Sequence, residues 1–474
     1  MPDVIPARKA ELGQYLTPSN VARFMAKMFP KSTLSTCRLL DAGAGAGALS
    51  CAFLERWMAG AFGFDKVEAT AYEMDDTLRK HLIRHMESYE QVQAKILGGD
   101  YIEWAVSDMF QEPVYTHAIL NPPYKKINSQ SFHRQALRSL GIETVNLYAA
   151  FVALAIRQSA PGGQIVAIIP RSFCNGPYYR AFRNLIFERT AIRHIHLFGS
   201  RSKTFRDDKV LQENIIIRLE KDATQGSVVI STSTDDSFDD IAYCEHPFNN
   251  IVSLEDTERF IHIPESSKKS ALDRSPSICY ALSDLGINAS TGPVVDFRMK
   301  EHLRQMPESG AVPLIYPGHF KKGRLIWPLA EMKKPNAIMH NQDTAKWLYP
   351  SGFYCLVRRF SSKEEKRRIV ASIIDPSTLG NTSLLGFENH LNLFHENKKG
   401  LSQKMAYGLM TFLNSTLVDE SFRRFNGHTQ VNVTDLKQMK YPSRQVLMEL
   451  GEWALTQESL TQTIIDQKIT TLIA

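Results

Sequence analysis

The sequence predicts an α/β fold: a mostly parallel, seven-stranded sheet whose last two strands form an antiparallel pair at one edge, followed by a second domain of mixed structure. Three observations support this. Between about residue 36 and residue 220, short apolar runs alternate with helix-like stretches. Near-continuous apolar runs are typical of strands that are covered by helices on both faces. The last two runs follow each other without an intervening helix, and the alternation stops beyond them.

The predicted elements follow one another along the first half of the chain. The strands are the runs 37–43, 67–73, 94–100, 117–123, 163–170, 191–199 and 214–220. The helices are the stretches 48–59, 75–90, 145–160 and 177–190. We expect a first domain over residues 1–230, a linker with polar clusters over 231–275, and a second domain over 276–474.

Composition excludes several classes of protein. The 474 residues carry 56 Lys/Arg and 50 Asp/Glu, and the stretch 319–368 alone holds 12 Lys/Arg against 4 Asp/Glu, an excess that suits a polyanionic partner. The six cysteines have no paired spacing, which argues against a zinc site or a disulfide framework. No apolar run approaches the ~18–20 residues of a membrane span, and the N-terminus lacks a signal-peptide core. We therefore expect a cytoplasmic protein.

Three predicted strands end in residues that suit a nucleotide cofactor. The first leads from Asp41 into Gly43, Gly45 and Gly47, and glycines there let the backbone turn sharply and approach a ligand. Alone this loop would also fit a dehydrogenase of the same sheet type. Glu73 ends the second strand, where its carboxylate can accept both ribose hydroxyls of a bound nucleoside. Asp100 ends the third and can accept the amino group of an adenine.

The fourth strand ends in a motif that suits transfer to an amine. In Asn121-Pro122-Pro123-Tyr124, the two prolines fix the backbone and remove two N–H donors. The side-chain oxygen of Asn121 and the carbonyl of Pro122 are two acceptors that can converge on one NH2 group. Two acceptors on an aromatic amine return electron density to its nitrogen. Tyr124 adds a face on which a planar base can stack. The alternative is that the motif has no catalytic role and only forms a turn.

In this order the motifs resemble those of the gamma-class DNA adenine-N6 methyltransferases of restriction–modification systems, the TaqI-like type. In that family a segment like GQYLTP (13–18) precedes the glycine loop and closes over the methionine part of S-adenosylmethionine; Tyr15 and Thr17 match it. The resemblance implies the class I S-adenosylmethionine-dependent methyltransferase fold, a catalytic role for Asn121, Pro122 and Tyr124, and a reaction that needs no metal. It also implies a cytoplasmic enzyme of a bacterium or archaeon.

The resemblance also implies how DNA is engaged. The target adenine is flipped out of the duplex, and a second aromatic after the fifth strand stacks on its other face. Counting from Pro170 gives Tyr179 this role, with Tyr178 as the alternative. The second domain is expected to recognise the target sequence. The basic residues expected to contact double-stranded DNA are Lys321, Lys322, Arg324, Arg358 and Arg359, with Lys366, Arg367 and Arg368 further candidates.

Several alternatives stay open. The same motif occurs in methyltransferases that act on a protein glutamine or on RNA, although the long basic C-terminal half favours DNA. A fused restriction nuclease or a non-catalytic specificity protein is a more distant alternative. Methyl transfer to cytosine N4 uses nearly the same site, and the asparagine before the two prolines favours adenine. A cognate restriction endonuclease is expected as a functional partner rather than a bound one.

Overall fold

A computed structural model describes residues 17–107, 114–199, 213–252, 256–264, 275–321, 323–361, 365–426 and 430–473. The chain divides into two compact units, Met1–Ser267 and Lys268–Ala474. Tyr15 and Lys322 lie outside the described residues. Within the described part of the chain, none of the helices has the length and apolarity that crossing a bilayer requires.

The first unit is built on one sheet and seven described helices. Its strands are β1 (Thr36–Ala42), β2 (Lys66–Tyr72), β3 (Val92–Leu97), β4 (Tyr115–Leu120), β5 (Ser159–Pro170), β6 (Thr190–Phe198), β7 (Asn214–Lys221), β8 (Val228–Ser233) and β9 (Ala242–His246). Its helices are α1 (Ser19–Lys27), α2 (Ala48–Met58), α3 (Asp76–Glu87), α4 (Tyr101–Ser107), α5 (Phe132–Ser139), α6 (Leu147–Gln158) and α7 (Arg180–Arg189).

The sheet is mostly parallel on one side and antiparallel on the other. Its strand order is β3-β2-β1-β4-β5-β7-β6-β8-β9. The first five strands in this order pair in parallel, whereas β7 is antiparallel to both β5 and β6. The expected count of seven strands is wrong, because β8 and β9 extend the sheet to nine. The antiparallel pair therefore lies inside the sheet, and residues 231–246 of the expected linker stretch belong to these two strands or the turn between them.

Neighbouring residues of one strand enter different cores, which is why the strands have near-continuous apolar runs. Ile168 packs in the core beneath α1 and α2, while Ile169 packs in the core beneath α6 and α7. The two cores bury both faces of the central strands, as a parallel sheet between two helical layers requires. All four predicted helices exist; α1, α4 and α5 are additional.

The second unit combines small sheets with C-terminal helices. A four-stranded sheet has the order β11-β21-β18-β19, and a five-stranded sheet the order β12-β16-β13-β20-β17. Two pairs, β10–β22 and the hairpin β14–β15, complete the strands. The strands are β10 (Ile278–Tyr280), β11 (Asn288–Thr291), β12 (Leu303–Arg304), β13 (Ala311–Ile315), β14 (Phe320–Lys321), β15 (Arg324–Leu325), β16 (Ala337–Met339), β17 (Leu348–Pro350), β18 (Tyr354–Arg358), β19 (Ala371–Ile374), β20 (Leu384–Phe387), β21 (Leu391–His395) and β22 (Tyr441–Pro442). The helices are α8 (Gln403–Leu413), α9 (Thr416–Phe425), α10 (Val433–Gln438), α11 (Arg444–Leu455) and α12 (Gln462–Ile473).

Helices α8 and α11 pack against each other with almost no space between their backbones. A Cβ atom added at Gly408 would lie 1.9 Å from the carbonyl oxygen of Leu447, and one at Gly451 would lie 1.7 Å from that of Lys404. No side chain fits at either position, so the two glycines are what allow this helix pair to form. The pair covers one face of the four-stranded sheet, and the other face packs into a separate core.

Candidate active site

The turn after β1 depends on three glycines with left-handed backbones. Gly43, Gly45 and Gly47 have φ angles of 77°, 57° and 93°, a region that other residues rarely adopt. Gly47 is also the N-cap of α2, and a Cβ there would lie 2.8 Å from the side chain of Leu82. The turn therefore brings backbone to the carboxyl edge of the sheet, where open α/β sheets bind ligands.

Glu73, directly after β2, braces this turn. Its Oε2 accepts a hydrogen bond from the backbone N–H of Gly45 at 2.8 Å, and its Oε1 accepts one from Asp75 at 2.7 Å. The residue is only 2% exposed. A carboxylate has about four acceptor sites, so it can accept hydrogen bonds from several donors at once.

Asp100 lies at the start of α4 and uses both carboxylate oxygens. Oδ1 accepts the backbone N–H of Ile102 at 2.7 Å, which caps the helix. Oδ2 lies 3.1 Å from Nε2 of His133, a residue at the start of α5. Sequence reasoning missed His133, because neither a motif nor a predicted helix marks it.

Asp41 lies beneath the glycine turn and does not line the cavity beside it. The residue is 1% exposed, and its Oδ2 accepts a hydrogen bond from the hydroxyl of Ser50 at 2.6 Å. Burial raises the pKa of this carboxyl to about 7, although the hydrogen bond from Ser50 opposes the rise. Asp41 thus supports the turn from below by holding the first turn of α2.

The Asn-Pro-Pro-Tyr corner follows β4 directly. Asn121 donates through Nδ2 to the hydroxyl oxygen of Thr17 at 2.9 Å. The hydroxyl of Tyr124 lies 3.1 Å from Oδ1 of Asn121 and 3.3 Å from the carbonyl oxygen of Ile168 on β5. Pro122 is buried. The corner is thus tied both to the neighbouring strand and to Thr17, two residues before the first residue of α1.

The two candidate base-stacking tyrosines after β5 differ in environment. Tyr178 is 78% exposed, whereas Tyr179 is half-buried and accepts a hydrogen bond from Nδ2 of Asn146. The ring of Tyr179 lies nearly parallel to that of Tyr148, with 5.9 Å between centroids. Tyr148 in turn meets Tyr124 edge-on at 6.2 Å. One buried tyrosine therefore contacts both the NPPY aromatic and Tyr179.

A cavity of about 350 Å³ opens at this edge of the sheet. Of the residues predicted for the site, it is lined by Gly43, Gly45, Glu73, Asp100 and Asn121. It is also lined by residues that sequence reasoning did not assign to it, among them Met74, Lys125, His133, Leu147 and Phe151. Thr17, Asp41, Pro122, Tyr124 and Tyr179 are not part of its lining.

The basic residues of the second unit divide into exposed and engaged groups. Lys321 and Arg324 are exposed and pair across the β14–β15 hairpin. Arg358 forms an ion pair with Glu365, and Arg359 donates to the carbonyl oxygen of Asn389 at 3.2 Å.

Two of the further candidates are turned inward. Arg368 is 1% exposed and donates to Oδ1 of Asn426 at 2.7 Å, so it has no surface to offer a phosphate. Arg367 is partly buried and donates to the carbonyl oxygen of Ser415 at 2.9 Å. Lys366, the third of the further candidates, is exposed.

Comparison with known proteins shows which proteins this chain is similar to. The family model of the Eco57I restriction-modification methylase matches residues 46–205. The Type II methyltransferase M.BsuBI of Bacillus subtilis is 50% identical, over 98% of this chain and 94% of that protein. The Type II methyltransferase M.PstI of Providencia stuartii is 43% identical, over 94% and 89%. The structure of a DrdV–DNA complex has a similar fold, with a TM-score of 0.52 at 12% identity over 95% of this chain and 57% of that one.

Proposed function

The chain belongs to the family of Type II methyltransferases that includes M.BsuBI and M.PstI, and from this premise we propose that it methylates N6 of a flipped-out adenine at a specific site in double-stranded DNA. Membership of the family makes it a DNA methyltransferase with S-adenosylmethionine as its cofactor. The adenine, its N6 atom, the gamma class and the class I fold are the finer steps of the proposal.

The cavity beside the glycine turn fits S-adenosylmethionine. Glu73 is buried in the wall of this cavity, where its carboxylate can accept the ribose hydroxyls, and Asp100 is oriented by His133 for an adenine amino group. Leu147 and Phe151 add apolar walls for a planar base. When bound, the cofactor supplies an electrophilic methyl carbon on a positively charged sulfur. Tyr15 and Thr17 are proposed to close over its methionine part, and Asp41 to support the turn that holds it.

The observation that carries the proposed chemistry is the Asn121-Pro122-Pro123-Tyr124 corner, with Asn121 and Pro123 in the wall of that cavity. Asn121 accepts a hydrogen bond from the target amine through Oδ1, and the carbonyl oxygen of Pro122 accepts a second. Both bonds would shift electron density onto the amine nitrogen, so that it could accept the methyl group as the bond between that carbon and the cofactor sulfur breaks and the sulfur leaves as a neutral thioether. The proton leaves to water after transfer.

Two aromatic side chains are proposed to hold the flipped base. Tyr124 and Tyr179 contact the same buried Tyr148, which supports their assignment to one base-binding site. Stacking on an aromatic face contributes about 1–3 kcal/mol per base. Tyr178 is too exposed to share this support, so we assign the second face to Tyr179.

The second unit, for which the sequence predicts the extent 276–474, is proposed to be the target-recognition domain, and the first unit, which includes β8 and β9, to be the catalytic domain. The β14–β15 hairpin is its best candidate for a DNA contact, because Lys321 and Arg324 are exposed and Lys322 lies between them in sequence. Arg358 and Arg359 are weaker candidates, since each already has a protein partner. We further propose that a cognate restriction endonuclease cuts the same, unmethylated site.

The proposed function is tested by transfer of a labelled methyl group to DNA. Purified protein is incubated with S-adenosylmethionine labelled on its methyl group and with unmethylated DNA, and the modified base is identified after digestion and mapped by sequencing. We expect N6-methyladenine at one sequence. Asn121→Ala should abolish transfer and leave the dissociation constant of the cofactor within about twofold. A label on cytosine N4 would reject the proposed base, and an equal loss of transfer and cofactor binding in Asn121→Ala would reject the proposed role of Asn121.

A further inference from the structure

Thr17 makes a side-chain contact with the proposed catalytic asparagine across more than a hundred residues of sequence. Its hydroxyl oxygen lies 2.9 Å from Nδ2 of Asn121. Thr17 is half-buried and lies two residues before the first residue of α1. The family resemblance gives Thr17 to the cofactor, and it does not account for a bond to Asn121.

The chemistry of the target amine restricts how Asn121 must be oriented. The two ends of an asparagine amide have nearly the same shape, but one only accepts and the other only donates hydrogen bonds. The amino group of a base presents hydrogens, so Oδ1 must face it. Nδ2 then points away and needs an acceptor. The hydroxyl oxygen of Thr17 is in position to be that acceptor.

A second polar neighbour of the amide, the hydroxyl of Tyr124, has an alternative acceptor. The hydroxyl of Tyr124 is within hydrogen-bonding distance of both Oδ1 of Asn121 and the carbonyl oxygen of Ile168. When a base amine approaches Oδ1, this hydroxyl keeps an acceptor by donating to Ile168. Tyr124 therefore does not hold the amide in its productive orientation, whereas a bond at Nδ2 does.

We propose that Thr17 is a positioning residue, which accepts a hydrogen bond from Nδ2 of Asn121 and thereby holds Oδ1 toward the target amine. This inference rests on the proposed function, because it needs Asn121 to bind the amine. The bond also polarises the amide and makes Oδ1 a better acceptor. A single hydrogen bond of this kind corresponds to about a three- to tenfold change in rate.

The test compares Thr17→Val, which keeps the shape of the side chain but loses the acceptor, with Thr17→Ser, which keeps the hydroxyl. Single-turnover rates are measured on the full-length protein with duplex DNA and S-adenosylmethionine both saturating. We expect the rate to fall about three- to tenfold in Thr17→Val and to recover most of that loss in Thr17→Ser. Thr17→Ala is measured beside them, so that a packing defect of valine alone does not decide the result.

Three results would overturn the proposal. The first is an unchanged rate in both Thr17→Val and Thr17→Ala. The second is a loss that a weaker cofactor dissociation constant explains in full. The third is a Thr17→Ser variant as slow as Thr17→Val.

An Asn121→Ser background gives an independent check, because serine has no Nδ2. Thr17→Val should not lower the single-turnover rate any further in this background, and an undiminished fall in rate would also reject the role. If Asn121→Ala stays active, the proposed function itself fails; if it is inactive while Thr17→Val is normal, only this inference fails.

Discussion

Replacing the buried Asp41 by asparagine should change how the stability of the first unit depends on pH. Asn has the same shape and keeps an oxygen that can accept the hydrogen bond from Ser50. The substitution replaces the ionisable carboxyl group by an amide that does not titrate. Because the residue is 1% exposed, solvent does not screen the effect.

The magnitude follows from the pKa of Asp41, which burial raises from 3.8 to about 7. Between these values the folded protein holds a proton on Asp41 that the unfolded chain has released. The free energy of unfolding therefore falls as pH rises, by about 1.4 kcal/mol per pH unit, and levels off above pH 7. From pH 5.5 to pH 7 this one group costs the wild-type protein about 2 kcal/mol. Asp41→Asn should not show this loss.

The assay is thermal unfolding without cofactor, for both proteins, at pH 5.5 and pH 8. All other titrating groups are shared, so the difference between the two proteins isolates Asp41. For a unit of this size, about 2 kcal/mol corresponds to a shift of about 4–8 °C in Tm. The Tm of Asp41→Asn minus the Tm of wild type should therefore be about 4–8 °C higher at pH 8 than at pH 5.5. A Tm difference that is the same at both pH values would refute the raised pKa and the reasoning built on it.

Three further predictions concern the site and the DNA contact. His133→Ala should weaken cofactor binding about two- to tenfold with little change in the rate at saturation, because it removes the partner that orients Asp100; calorimetry measures this, and unchanged binding would argue against it. Tyr124→Ala should slow methylation more on a matched duplex than on DNA with a mismatched target, and an equal penalty on both would count against base flipping. Replacing Lys321 and Arg324 together by alanine should weaken DNA binding and reduce the slope of log affinity against log salt by about 2 if each contacts one phosphate; a slope equal to that of wild type would exclude the hairpin.

Much of the sheet could be predicted from sequence because its strands are buried on both faces. The run 163–170 is apolar almost throughout, and it lies within β5 (Ser159–Pro170). β9 has no such signal, since most of its residues are exposed at the edge of the sheet. It therefore looks like a loop in the sequence.

β8 is not predicted from the sequence for a different reason: some of the side chains that it buries are polar. The hydroxyl of Ser231 is hydrogen-bonded to two buried histidines of β6. Its oxygen lies 2.7 Å from Nε2 of His194 and 2.8 Å from Nδ1 of His196. Burial lowers the pKa of His196 to about 3, so it is neutral in the fold. A serine that faces a neutral histidine can be buried at little cost, but the sequence pattern counts both as surface residues.

The candidate site divides in the same way between local and tertiary signals. Gly43, Glu73, Asp100 and Asn121 follow consecutive strands, so strand order alone brings them to one edge of the sheet. His133 reaches that edge only because α5 packs beside α4, and no spacing in the sequence encodes this contact. The partners that orient a site are thus harder to read from sequence than the residues that form it.

The basic stretch 319–368 shows why counting charges overstates a DNA surface. A guanidinium group carries five N–H donors and can be buried wherever carbonyl and amide oxygens surround it. Arg368 is buried in this way against Asn426, so its positive charge serves the packing of the second unit. Lys321 and Arg324 differ because they pair across the β14–β15 hairpin and are exposed to solvent. Sequence fixes how many charges a segment carries, whereas the supply of nearby oxygen atoms decides which of those charges remain available to DNA.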